Sequence, residues 1–153
     1  MTLVDTIRQI ERIAASQPAV NMIVRNDIFR LNSFSDARYG VFAWTQGQHT
    51  GNVDDALQTS AFTFFYVDRL TEDKGNEVEV QSVGIDTLGN ILRLLSDGGM
   101  IVGDVTFTTF NQRFLDECAG VFASVRLQVP AVGPCGEGFG DFNDDFNDDF
   151  LIY

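Results

Sequence analysis

The sequence predicts an α+β single domain. Its expected form is a twisted, mainly antiparallel sheet with an N-terminal helix and a second helix packed on one face, plus a flexible acidic-aromatic C-terminal tail. Three observations carry this. Apolar residues recur at helical spacing near the start, at Leu3, Ile7, Ile10 and Ala14, and again from Val80 to Leu95. Between and after these stretches lie short runs of aromatic and β-branched residues, of which "AFTFFYVDRL" is the strongest. Then "PAVGPCGEGFG", dense in Pro and Gly, reads as a linker. The expected organisation is a domain over 1–129, a linker over 130–140 and an interaction tail over 141–153.

Each element has its own local warrant. In the first helix Val4 and Ile13 broaden the apolar stripe, Thr2 or Asp5 can cap the start, and Gln17-Pro18 stops it. "AVNMIVRNDIFRLN" reads as a short strand, an Arg-Asn-Asp turn and a second short strand. "VFAWT" is another strand, and "QGQHTGNVDDALQTS" is the polar tip of a long hairpin or a surface loop. The near-continuous apolar character of 61–70 calls for burial on both faces, or of one face against an equivalent subunit. From Val80 the pattern Val80, Val83, Ile85, Leu88, Ile91, Leu92, Leu95 is helical, and Ser96-Asp97-Gly98-Gly99 ends it. "VTFTTF" and "AGVFASVRLQV" are the last two strands, joined through Asn111 to Glu117.

Charge narrows the function classes. The 153 residues carry a net charge of −12, and five of the aspartates fall within 141–153, where there is no Lys or Arg. No cluster of bases exists to displace counterions from phosphates, which argues against non-specific nucleic-acid binding. There is no basic-then-apolar leader at the start and no run of about 18 apolar residues, so neither a signal peptide nor a membrane span is expected. Cys118 and Cys135 form no spaced metal motif and are expected as reduced thiols.

Catalytic chemistry has little to stand on. His49 is the one histidine, with Asp54 and Asp55 near it, and reads as a solvated loop residue ahead of a general base. No nucleophile elbow, phosphate loop or dinucleotide fingerprint occurs. "DFNDDFNDD" offers hard oxygens, but lacks the alternate spacing, central Gly and closing Glu of an EF-hand. The expectation is a protein that is not an enzyme, with no catalytic residue, no metal and no cofactor.

One stretch carries a resemblance. "FFYVDRLTEDKGNEVEVQSVGIDTLGNILRLL", with "FRLNSFSDARYGVFAWTQGQH" upstream, resembles small virion proteins of tailed bacteriophages, in particular crAss-like phages. These are similar to the tail-terminator and head-completion group that forms rings near the portal. The resemblance covers Gln17 to Leu95. It implies a structural subunit of a closed ring, twelve copies favoured over six, in the neck or upper tail. Such a ring would contact neighbouring portal, ring or tail proteins and let double-stranded DNA pass without specific binding. It implies a virion location after assembly in the host cytoplasm. It also implies that the charged turn Asp68, Arg69, Glu72, Asp73, Lys74 and Glu77 is a subunit-interface rim.

The tail admits two readings. Phe142, Phe146 and Phe150 are four apart and would share a face of a helix. With Leu151, Ile152 and Tyr153 they are expected to anchor a segment that orders on a partner, the aspartates keeping it soluble beforehand. The same ending resembles that of single-stranded-DNA-binding proteins, which recruit partners through an acidic tail. That alternative requires an OB-type barrel with a basic groove.

Overall fold

The computed structural model describes residues 2–33, 38–52, 57–113, 117–130 and 151–152. Helix α1 (Leu3–Ala15) begins at a capping box. The Thr2 hydroxyl accepts from the Asp5 N–H at 3.1 Å, and the Asp5 carboxylate accepts from the Thr2 N–H at 2.9 Å. The helix closes at Ser16, whose N–H reaches the carbonyls of Arg12 and Ile13, two residues before Pro18.

Strand β1 (Met22–Arg25) follows, then β2 (Val41–Asn52) and β3 (Leu57–Arg69), which form a long hairpin. Helix α2 (Glu77–Asp97) leads to β4 (Ile101–Val102), β5 (Phe107–Arg113), β6 (Glu117–Pro130) and β7 (Leu151–Ile152). The sheet order is β4-β6-β3-β2-β1-β7, with β5 beside β4 on the same edge of β6. Pairing is antiparallel from β2 through β3 and β6 to β4 and β5, while β1 runs parallel to β2 and β7 parallel to β1. The α+β class holds, with the sheet mixed at one edge.

The expected second strand at "IFRLN" is instead a 3-10 helix, Ile28–Ser33. The turn before it dictates this. Asn26 takes φ 69, the Asp27 carboxylate accepts from the Phe29 N–H at 2.9 Å, and the Arg30 N–H bonds the Asp27 carbonyl. An Asx turn of this kind starts a helical turn and leaves no extended backbone to pair. The 3-10 segment forms part of the crossover that a parallel β1–β2 pair requires.

Both helices pack on one face of the sheet. Ile10 and Ala14 of α1, and Val80, Leu88, Ile91, Leu92 and Leu95 of α2, cover Phe42, Trp44, Phe62, Phe64, Tyr66 and alternate residues of β6 from Ala119 to Leu127. The α2 pattern differs from the expected stripe at two places. Val83 and Ile85 are 38% and 39% exposed, and Gly84 and Thr87 take the inward positions. Gly84 is there because the helix comes very close: a Cβ would sit 2.9 Å from both Tyr66 and Val121 side-chain atoms. Helix α2 ends at Gly98 and Gly99, the latter at φ +94, as the Gly-Gly stop predicts.

Candidate interaction surfaces

On β3 the even-numbered residues Phe62, Phe64 and Tyr66 lie under the helices, and the odd-numbered ones face the other way. Among the described residues that second face is covered at one end. There Ile28 and Leu31 of the 3-10 segment, with Tyr39, close over Met22, Val24, Val41, Ala43 and Val67. Phe65 and Phe110 are partly buried against the side of this cluster. Phe65, Phe110 and Phe122 form a triangle of rings with centroids 6.0–6.5 Å apart, each half-buried. Gly120 makes room for it, since a Cβ there would stand 2.8 Å from the Phe110 ring and 2.1 Å from the Tyr66 carbonyl oxygen. Further along, two adjacent shallow hollows of about 440 and 370 Å³ are lined by Thr59, Thr63, Ser124, Arg126 and Gln128, among others. The sequence reading named none of the three phenylalanines. Their signal was present as Phe at face-alternating positions that no helix stripe could cover.

The charged turn lies at the end of this face, since Arg69 pairs with Cys118 four residues on from the Phe65–Phe122 pair. Its groups are arranged within the chain. The Asp73 carboxylate accepts from the Thr71 hydroxyl at 2.6 Å and the Gly75 N–H at 3.1 Å, which together hold its pKa below the usual carboxylate value. Lys74, at φ 56, reaches Glu117 at 3.4 Å. Glu77 accepts from the Asn111 amide at 2.6 Å. Arg69 stacks its guanidinium 4.8 Å over the Tyr39 ring. Asp68 stands beside Tyr66, whose hydroxyl pKa is pushed up to about 12 by burial first and by the Asp68 carboxylate second. Glu72 is exposed.

His49 lies in β2 opposite Ser60 of β3, its Nδ1 2.7 Å from the Ser60 hydroxyl, so it belongs to the hairpin's ladder and not to a loop. Asp54 and Asp55 lie outside the described residues. Among the described residues no group of three His, Cys, Asp or Glu side chains could hold a metal ion. Cys118 is buried at 0% exposure, and Cys135 lies outside the described residues. No helix among the described residues is long and apolar enough to cross a membrane.

The tail is represented by two residues. Leu151 and Ile152, expected as anchors on a partner, pair in parallel with Met22 and Ile23 on the sheet's own edge. Phe142, Phe146, Phe150 and Tyr153, and the linker over 131–140, lie outside the described residues.

No protein-family model matches this chain, and no curated protein matches it.

Proposed function

We propose that this chain is a structural subunit of a ring in the head-to-tail neck or upper tail of a tailed phage. In that place it surrounds the DNA channel and joins portal-side to tail-side proteins. The observation that carries the proposal is the one-sided layering among the described residues: helices bury one face of the sheet, while the Phe65–Phe110–Phe122 triangle is only partly buried on the other. An apolar centre beside a charged turn has the anatomy of a protein–protein contact, with aromatics inside and polar groups at the rim. In a ring of one chain that contact is heterologous and closes on itself. The net charge of −12 favours a channel wall that repels phosphate and lets a duplex slide. The resemblance over Gln17 to Leu95 supplies the virion setting.

Proteomics of purified virions, with an electron-microscopy map of the neck, tests this. A ring density fitted by this domain is the expected result, and absence of the chain from virions would overturn it. The single-stranded-DNA reading calls for an OB-type barrel with a basic groove, whereas the described strands form one sheet in the order β4-β6-β3-β2-β1-β7 with two helices on one face. Titration of the protein with fluorescent oligo-dT at low salt checks that reading directly. Tight, salt-sensitive binding would favour it over the ring.

A further inference from the structure

Strand β1 is held on one side by β2 and on the other by two residues, Leu151 and Ile152. Met22, Ile23 and Val24 are all 0% exposed, so this edge is an integral part of the core. A two-residue ladder is a weak attachment for such an edge, because short isolated pairings are marginal in water.

The route by which the chain gets there is long. Strand β6 ends at Pro130, opposite Leu57 near the hairpin tip. Strand β7 begins at Leu151, opposite Met22, which lines up through Val41 with Val67 of β3. The two points are therefore ten residues apart along β3 and four strand spacings apart across the sheet. At about 3.3 Å per residue and about 4.8 Å per strand, the separation is roughly 38 Å. Residues 131–150 can reach about 70 Å when fully extended. Twenty residues are thus nearly twice as many as this separation demands, with about 30 Å of contour length to spare.

We infer that the outer edge of β1, at Met22 and Ile23, is a strand-acceptor site, and that in the assembled protein it takes Leu151 and Ile152 from a second copy of this chain. Exchange costs little in contacts. Each copy gives up one Leu151–Ile152 pairing and receives an identical one, the condition that makes swapping a low-cost route to assembly. Main-chain hydrogen bonds supply the attachment, as in other strand additions. In the isolated subunit the tether's effective concentration favours its own edge. When copies are held side by side, a neighbour's edge competes on equal terms. The inference rests in part on the ring reading, whose failure can be told apart from its own.

The test uses the unaltered full chain. One preparation carries labelled methyls only at Ile and Leu, the other only at Met, both in a deuterated background. They are mixed one to one, dissolved together in denaturant and refolded together, and native mass spectrometry gives the assembly state. Nuclear Overhauser cross-peaks between the Met22 methyl and the Leu151 or Ile152 methyls can then arise only between chains. Such cross-peaks in the associated protein are the expected result. An oligomer without them overturns strand exchange and leaves the ring standing. Cross-peaks in a two-fold dimer with no larger assembly keep the exchange and overturn the ring. A protein that stays monomeric at millimolar concentration, with no such cross-peaks in the mixture, overturns the exchange.

Discussion

Glu11 and Arg25 are joined by two side-chain bonds, Nε to Oε1 at 2.5 Å and Nη2 to Oε2 at 2.6 Å, with the Glu11 side chain 1% exposed and Arg25 45%. The Trp44 indole N–H adds a third bond to Oε1 at 3.1 Å. One carboxylate thus ties α1 to β1 and β2. The bonded carboxylate in turn raises the Arg25 pKa further above its ordinary value.

Breaking this pair from one side leaves a charge without its partner. Arg25→Leu strands the Glu11 carboxylate with one indole donor and should cost about 2–4 kcal/mol, below the fully buried case because the guanidinium is partly in water. Glu11→Leu with Arg25→Leu should recover most of that loss, since an apolar pair replaces both charges. Urea denaturation of the two singles and the double measures it. Additive losses in the double variant would show that the pair is not coupled.

The capping box predicts an acid dependence. Asp5 has its pKa lowered, first by the Thr2 hydroxyl and then by the Thr2 N–H. A carboxylate depressed in the folded state contributes stability above its unfolded pKa of about 3.9, and that contribution is lost as pH falls through the lower folded value. Thr2→Ala should cost about 1 kcal/mol at neutral pH. The difference between wild type and variant should shrink below pH 4 in thermal melts. A constant difference across that range would contradict the assignment.

Two glycines of α2 predict opposite signs. Gly84→Ala drives a methyl to 2.9 Å from Tyr66 and Val121, and should destabilise by about 1–2 kcal/mol despite the gain in helix propensity. Gly89→Ala meets nothing within 4 Å and should stabilise by about 0.5–1 kcal/mol. Melting temperatures moving in the same direction for both would refute the packing argument.

Alkaline stability should depend on Tyr66. With its pKa pushed up to about 12, the folded state keeps the phenol proton after the unfolded chain has lost it. The stability it contributes is fully present below pH 10 and is lost as pH rises from 10 to 12. Tyr66→Phe removes the titrating group, so its loss of stability over that range should be smaller than the wild type's. The hydroxyl's bond to the Ala19 carbonyl, at 3.5 Å, is long, so the variant should fold normally at pH 7.

Phe122→Thr should leave the domain folded and weaken self-association at least tenfold in sedimentation equilibrium. Phe122 is half-buried on the sheet face away from the helices, so on the ring reading its loss removes contact area from a partner more than from the core. Unchanged association with an intact fold would remove the aromatic triangle from the interface.

Legibility in the sequence followed the range of the interactions. The capping box of Thr2 and Asp5, and the stop at Gly98-Gly99, are set by residues a few positions apart and could be read directly. The long β2–β3 hairpin and β6 were recognisable from their aromatic and β-branched runs. The segment Ile28–Ser33 was misread because its apolar residues alternate like a strand's, while the Asn26-Asp27 turn imposes a helical start. Strands β4 and β7 have two residues each and exist only through partners far along the chain. Glu11 did carry a signal, four residues after Ile7 and three before Ala14, a charge set within the apolar stripe. The open aromatic face needed the strand register, which places Phe65, Phe110 and Phe122 on one side.

The central ladder has a kinetic consequence. Strands β3 and β6 pair over thirteen positions, from Leu57 with Pro130 to Arg69 with Cys118, with all of α2, β4 and β5 lying between them in the chain. Closing so large a loop costs entropy before any contact repays it, whereas the β2–β3 hairpin closes locally. The β2–β3 hairpin, α2 and the β5–β6 hairpin can each form locally, so the docking of β6 onto β3 is the expected late step. Refolding should run at the milliseconds-to-seconds pace of non-local sheets, limited by the arrival of a strand that ends up at the middle of the molecule.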